Sequence, residues 1–220
     1  MRVRKKKNLG KRLENCREHI VYEDEISPGS WLPEGFTQLE LEIGSGKGRF
    51  ITTLALQNPN IFYVALEREA DVLVMAAEKA KAIGLKNLRF IVADAEHLAE
   101  MFKKGEVSAI YINFCDPWPA GRQAKRRLTH RRHLIVYRSI LSGAGRIFFK
   151  SDSEALYEFT LTELRESGFE IDFKSRDLHN DHPDGIMTEY EERFSLQGML
   201  IYAIDATMSA EPQDPSVENK

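Results

Sequence analysis

The chain has 220 residues, 42% of them apolar and 30% charged, the composition of a soluble globular protein with one sizeable core. No apolar run approaches the length of a membrane span, and the basic start Met1-Arg2-Val3-Arg4-Lys5-Lys6-Lys7 lacks the apolar segment of a secretory leader, so neither is expected. A net charge of −3 argues against indiscriminate nucleic-acid binding, and two cysteines without metal-type spacing, Cys16 and Cys115, point to a reducing cytoplasm and to no bound metal.

Charge is nevertheless unevenly distributed. Residues 1–12 hold seven Lys or Arg and no acid, and open a basic N-terminal arm expected over residues 1–30. Leu39-Glu40-Leu41-Glu42-Ile43 then alternates as a strand does and runs into Gly44-Ser45-Gly46-Lys47-Gly48. Glycines so closely spaced let a backbone bend sharply and touch a ligand. Phe50, Ile51, Leu54 and Ala55 resume at helical spacing, which makes this the ligand-binding corner of a doubly wound α/β sheet. A Walker loop is excluded, because Leu41 stands where its first glycine belongs and Gly48 follows Lys47. The dinucleotide fingerprint wants glycine where the chain has Arg49. The pattern Glu42-x-Gly44-x-Gly46-x-Gly48 resembles the first motif of class I S-adenosylmethionine-dependent methyltransferases. That resemblance implies that Glu42, beside Gly44 and Gly46, helps to hold the amino-acid part of the cofactor.

Ile61-Phe62-Tyr63-Val64-Ala65-Leu66 reads as a parallel strand buried on both faces, ending in Glu67, where a carboxylate can accept both ribose hydroxyls. Ala70 to Ala82 reads as a helix stopped by Gly84. Leu88 to Ala93 is a third strand, ending in Asp94, placed to accept from the exocyclic amine of adenine. Three acids at one sheet edge beside a Gly-rich loop form a nucleoside site.

Val107 to Cys115 is a fourth apolar strand, expected beside the first, and it ends in Asp116-Pro117-Trp118-Pro119. Each proline fixes its own φ and restricts the residue before it, so Asp116 and Trp118 are aimed at whatever accepts the transferred group. Cys115 is read as a packed thiol, since no activator stands near it in sequence. From Pro117 to Ser151 there are nine Lys or Arg and no acid, a one-signed stretch suited to phosphate contacts, with Arg131 expected to meet phosphate or solvent. Gly145 to Lys150 is a fifth strand, and Phe169 to Lys174 with Met199 to Asp205 a closing pair. His179 to Asp184 is read as a solvated polar loop rather than a metal site, and residues 207–220 as a disordered tail.

Asp116-Pro117-Trp118-Pro119, Lys125-Arg126-Arg127-Leu128, Phe149-Lys150-Ser151-Asp152, Asp177-Leu178-His179-Asn180 and Thr188-Glu189-Tyr190-Glu191, in that order, resemble the motifs of the bacterial tRNA (guanine-N7-)-methyltransferases. The resemblance implies a Rossmann-like class I methyltransferase fold over residues 31–206, an α/β domain with a seven-stranded mixed sheet and helices on both faces, one closing strand antiparallel. It implies S-adenosylmethionine as cofactor and tRNA as partner, for a monomer or a homodimer, with methylation of guanosine 46 in the variable loop. Carried over by position, Glu42, Glu67, Asp94 and the catalytic Asp116 line the cofactor pocket. Asp152 with Thr188, Glu189, Tyr190 and Glu191 contacts the nucleoside, and Arg122, Lys125, Arg126 and Arg127 meet the tRNA. One departure stands out: members often carry lysine where this chain has Ala120, and Arg122 is expected to replace it.

Guanine N7 presents an in-plane lone pair and loses no proton on alkylation, so the enzyme has chiefly to align it, which is catalysis by positioning. Because N7 must stay free, the base is best gripped on its N1–H and N2 amino edge by a carboxylate. Asp116, Asp152 and Glu191 are the candidates for that grip, and Trp118 or Tyr190 for stacking on an unstacked base.

Overall fold

The computed structural model describes residues 8–209; residues 1–7 and 210–220, with most of the expected basic start and tail, lie outside them. Among the described residues the strands are β1 (Ile20–Val21), β2 (Gln38–Ile43), β3 (Ile61–Glu67), β4 (Leu88–Val92), β5 (Val107–Asn113), β6 (Leu141–Ser151), β7 (Phe169–Ser175) and β8 (Tyr202–Met208). They form one sheet in the order β1-β4-β3-β2-β5-β6-β8-β7. The α-helices among the described residues are α1 (Leu9–Asn15), α2 (Arg49–Gln57), α3 (Ala70–Ile83), α4 (Leu98–Met101), α5 (Arg131–Ile140), α6 (Glu154–Glu166), α7 (Leu178–Asp181) and α8 (Glu189–Ser195). β2 pairs in parallel with both β3 and β5, and β8 alone runs antiparallel, between β6 and β7. The chain thus leaves β2 in one direction and returns beside it as β5, and ligands of such sheets bind where that reversal opens a crevice.

Alternation along each strand sorts side chains into two cores. Leu39, Leu41, Ile43, Phe62, Val64 and Leu66 join Leu134, Tyr137, Leu156 and Leu164 on the face covered by α5 (Arg131–Ile140) and α6 (Glu154–Glu166). Tyr63, Ala65 and Phe90 meet Ile51, Leu73, Ala76 and Ala80 on the other face, under α2 (Arg49–Gln57) and α3 (Ala70–Ile83). Gly84 ends α3 with a left-handed φ of 77°, as expected.

Besides β6, which begins at Leu141 rather than Gly145, three boundaries differ from expectation. The sheet has an eighth strand, because β1 pairs in parallel with β4 through Ile20 and Phe90; two residues are too few to show a period. Residues 9–21 are accordingly packed on the domain rather than standing off as an arm: α1 (Leu9–Asn15) lies on α3, and Arg12 grips Glu78 at 2.6 Å. The last strand runs through Met208, so Thr207 and Met208 belong to the sheet and not to a tail, while Met199 and Leu200 stand in the loop before it.

Candidate active site

At the carboxyl ends of β2, β3, β4 and β5 a cleft of about 450 Å³ brings Gly44, Glu67, Asp94, Asp116 and Trp118 together. The Gly-rich loop reaches it through Gly44. Gly46 has φ +56° with open space where a Cβ would stand, and Gly48 approaches α3 so closely that a Cβ would lie 2.4 Å from Ala76. Glu67 is held by two backbone N–H groups, Gly46 on Oε2 and Glu69 on Oε1, each at 3.0 Å, which ties the loop to the end of β3. Asp94 caps the turn that follows it by accepting from the Glu96 N–H at 3.1 Å.

Glu42, on β2 just before the loop, is 1% exposed. Its Oε1 accepts from Asn113 Nδ2 at 2.9 Å, and its Oε2 is buried without a partner. Burial pushes the carboxyl up to about 8; the Asn113 hydrogen bond and Lys150 oppose the rise, and the charges of Glu189 and Glu67 add to it. The acidic side of β2 is therefore not a solvated face, since Glu40 too is buried and accepts from the Tyr111 hydroxyl at 2.9 Å. Asn113, the last residue of β5, was not anticipated; its signal is an amide ending an otherwise apolar strand.

Beyond Asn113 the backbone is strained on both sides of Asp116. Phe114 has φ 53° and Trp118 φ 41°, in the left-handed region that bulky residues avoid. The Phe114 N–H donates to Lys150 O at 2.9 Å, and its ring lies 5.1 Å from that of Tyr190. Arg126 stacks over the Trp118 indole at 3.6 Å, so one face of that ring is taken. Asp116 itself is exposed at the cleft. Cys115 is a packed thiol, pushed up to about 12 by burial and by neighbouring Asp116.

The Thr188 to Glu191 segment opens α8 (Glu189–Ser195), and it divides in two. Thr188 and Glu191 form a reciprocal cap, with the Glu191 N–H donating to Thr188 Oγ1 at 2.9 Å. The Glu191 carboxylate, 1% exposed, is occupied by Lys150 at 3.2 Å and His179 Nε2 at 2.9 Å. Contrary to the sequence expectation, Glu191 is closed to a base edge, and His179 is a partner of that carboxylate rather than part of a solvated loop. Tyr190 remains at the surface; its hydroxyl donates to Asp152 at 2.8 Å and is pushed up to about 12 by burial and that carboxylate. Glu189 pairs with Lys79 of α3 and Glu192 with Arg49 of α2, which lays α8 across the entrance of the Gly-rich loop.

The family model described as "Putative methyltransferase" matches residues 37–204. The tRNA (guanine-N(7)-)-methyltransferase of Streptococcus equi subsp. zooepidemicus is 41% identical over 94% of this chain and 100% of its own. That of Listeria monocytogenes is 43% identical over 94% of this chain and 98% of its own. The chain belongs to the tRNA (guanine-N7-)-methyltransferase family. Among solved structures, the 16S rRNA methyltransferase KamB superposes with a TM-score of 0.64 at 18% identity, covering 80% of this chain and 89% of that one, a likeness of fold.

S-adenosylmethionine is the methyl donor of this family, and the residues present fit it. Gly44 borders the cleft with open space where a Cβ would stand, carboxylates follow β3 and β4 at its edge, and Glu42 near the end of β2 keeps one buried oxygen without a partner. The basic stretch is less available to RNA than its sequence suggests. Arg131 is gripped by Glu163 and Glu166, Arg132 by Glu96, Arg146 by Asp205 and Lys150 by Glu191. Arg138 donates to Gly168 O, and Arg127 to Pro117 O and Trp118 O. Arg131 therefore faces neither phosphate nor solvent alone. Arg122, Lys125 and Arg126 are exposed, and Arg126 lines the cleft. Among the described residues no helix is long and apolar enough to cross a membrane, and no group of His, Cys, Asp or Glu side chains is arranged to hold a metal.

Proposed function

We propose that the chain transfers a methyl group from S-adenosylmethionine to N7 of guanosine 46 in the variable loop of tRNA. The observation that carries this reading is Asp116, held between two left-handed residues at the one cleft that also gathers Glu67 and Asp94, with Tyr190 and Asp152 reached through Phe114. The bound donor supplies an electrophilic methyl group on a sulfonium.

The protein's residues bind and orient. Glu67 takes the ribose hydroxyls, Asp94 the adenine amine, and Glu42 the ammonium end, with the Gly44 and Gly46 backbone beside it. Asp116 aligns the acceptor with the methyl group, and no residue has to remove a proton, because N7 carries none. Asp152, oriented by the Tyr190 hydroxyl, grips the N1–H and N2 edge of guanine, and Tyr190 or the free face of Trp118 stacks on the base. Thr188 and Glu191 act by capping the helix that carries Tyr190, and Arg122, Lys125 and Arg126 meet the phosphates. On this reading the enzyme works in the cytoplasm, on tRNA as its partner.

Incubation of unmodified tRNA with methyl-labelled donor, followed by nucleoside analysis and mapping of the modified position, tests the proposal. Label in 7-methylguanosine at position 46 is the expected result. Label in another nucleoside refutes the reaction, and 7-methylguanosine elsewhere refutes the site.

A further inference from the structure

We propose that Arg127 is a positioning residue that locks the Asp116-Pro117-Trp118-Pro119 corner, and not a fourth phosphate contact. This rests on the methyl-transfer reading above. Arg122, Lys125, Arg126 and Arg127 share one turn and one charge, yet the structure separates them: the first three are exposed and Arg127 is partly buried. Its Nε donates to Pro117 O at 2.9 Å and its Nη2 to Trp118 O at 3.1 Å. Its guanidinium also lies over the Phe159 ring of α6 at 4.3 Å.

Two consecutive carbonyls gripped by one planar group fix both peptide planes that flank the Trp118 Cα. That residue needs fixing. A left-handed φ on a bulky side chain costs about 1–3 kcal/mol and persists only where its surroundings over-determine it. The prolines on either side have no N–H with which to tie the corner down. Phe114, the other strained residue, is held from β6 by Lys150 O, so Asp116 is suspended between two anchors, one of which is Arg127. Phe159 extends that anchor to α6, a rigid element of the core. A lysine keeps the charge but has neither the fork that spans two carbonyls nor the plane that lies on a ring.

The test compares Arg127→Lys and Arg127→Ala with Arg122→Ala, after the wild-type enzyme has been shown to form 7-methylguanosine; failure of that first step refutes the activity, and the fluorescence measurement below, which needs no turnover, then decides the corner. Protein is counted by S-adenosylhomocysteine binding sites, so misfolded molecules drop out of kcat. Arg127→Lys is expected to lower kcat about tenfold or more, as misaligned reacting groups do, with tRNA KM and its salt dependence as in wild type. Trp31 is buried, so increased quenching of tryptophan fluorescence by acrylamide in Arg127→Lys reports a loosened Trp118. Arg122→Ala is expected to show the opposite pattern: near wild-type kcat, raised KM, and a salt slope reduced by about one. If Arg127→Lys retains wild-type kcat per binding site, or if Arg127→Ala behaves like Arg122→Ala, the assignment is overturned. Should Arg127→Ala not fold, the lysine variant decides alone.

Discussion

Glu42→Gln isolates the cost of a buried acid. In the wild type the carboxyl is raised from its ordinary 4.5 to about 8, chiefly by burial, so the folded protein holds a proton that the unfolded chain releases. The sign follows: this group's contribution to stability is complete below pH 4.5 and is lost as pH rises through about 8. At ~1.4 kcal/mol per pH unit, the whole interval is worth about 5 kcal/mol. Glutamine keeps the acceptor for Asn113 and, like the protonated acid, buries a donor without a partner, so the two side chains carry a similar penalty at low pH. The two proteins should therefore converge in stability toward pH 5, with the variant clearly the more stable near pH 9. Urea denaturation of both proteins across that range measures the difference. His133, held down to about 4 by burial, titrates in both proteins and cancels. Curves that stay parallel from pH 5 to 9 would refute the reasoning. The variant should also bind S-adenosylhomocysteine more weakly above about pH 8, where the wild type carries a carboxylate whose charge the amide cannot replace.

Glu67→Ala removes an acceptor assigned to the ribose and should weaken S-adenosylhomocysteine binding by about 1.5–3 kcal/mol, read by calorimetry, with tRNA affinity nearly unchanged. Asp116→Ala should depress turnover far more than tRNA affinity, because alignment acts at the reacting centre; wild-type turnover in single-turnover kinetics would remove Asp116 from that role. Arg122→Ala should lower tRNA affinity with a shallower salt dependence, whereas Arg131→Ala should leave the salt slope alone and lower the melting temperature. Burial by itself would raise Glu163, and Arg131 is what holds that carboxyl below its usual range, so the partner left behind is destabilising. Ala120→Lys should add little to tRNA binding if Arg122 already fills the place of the lysine many members carry; marked tightening would show the contact to be missing.

The central sheet was legible because its signals are local. Ile61 to Leu66 and Leu88 to Ala93 are apolar runs that end in acids, and the glycines of 44–48 announce a turn without regard to anything distant. What escaped notice was set by partners far along the chain. Nine cations without an acid between Pro117 and Ser151 read as an RNA surface, but four of them, Arg131, Arg132, Arg146 and Lys150, are paired with acids that stand elsewhere, at Glu96, Glu163, Glu166, Glu191 and Asp205. Glu191 belongs to a motif that reads as a substrate contact, and only the approach of Lys150 and His179 shows that its carboxylate is spent inside the fold. Phe114 and Trp118 carry no residue-type signal for a left-handed backbone, because glycine is the residue that normally marks one.

The antiparallel strand also sets the order in which the molecule can be completed during synthesis. Among the described residues β8 is the last strand made, yet it lies inside the sheet, hydrogen-bonded to β6 on one side and β7 on the other. Until Tyr202–Met208 has left the ribosome, β6 and β7 face each other across an unfilled slot, and each presents a row of unpaired backbone groups of the kind that recruits foreign strands. The nascent chain thus passes through a stage in which the cofactor corner, built from β2 to β5, is already complete in sequence while the β6–β8–β7 side of the sheet still waits for its seam to close.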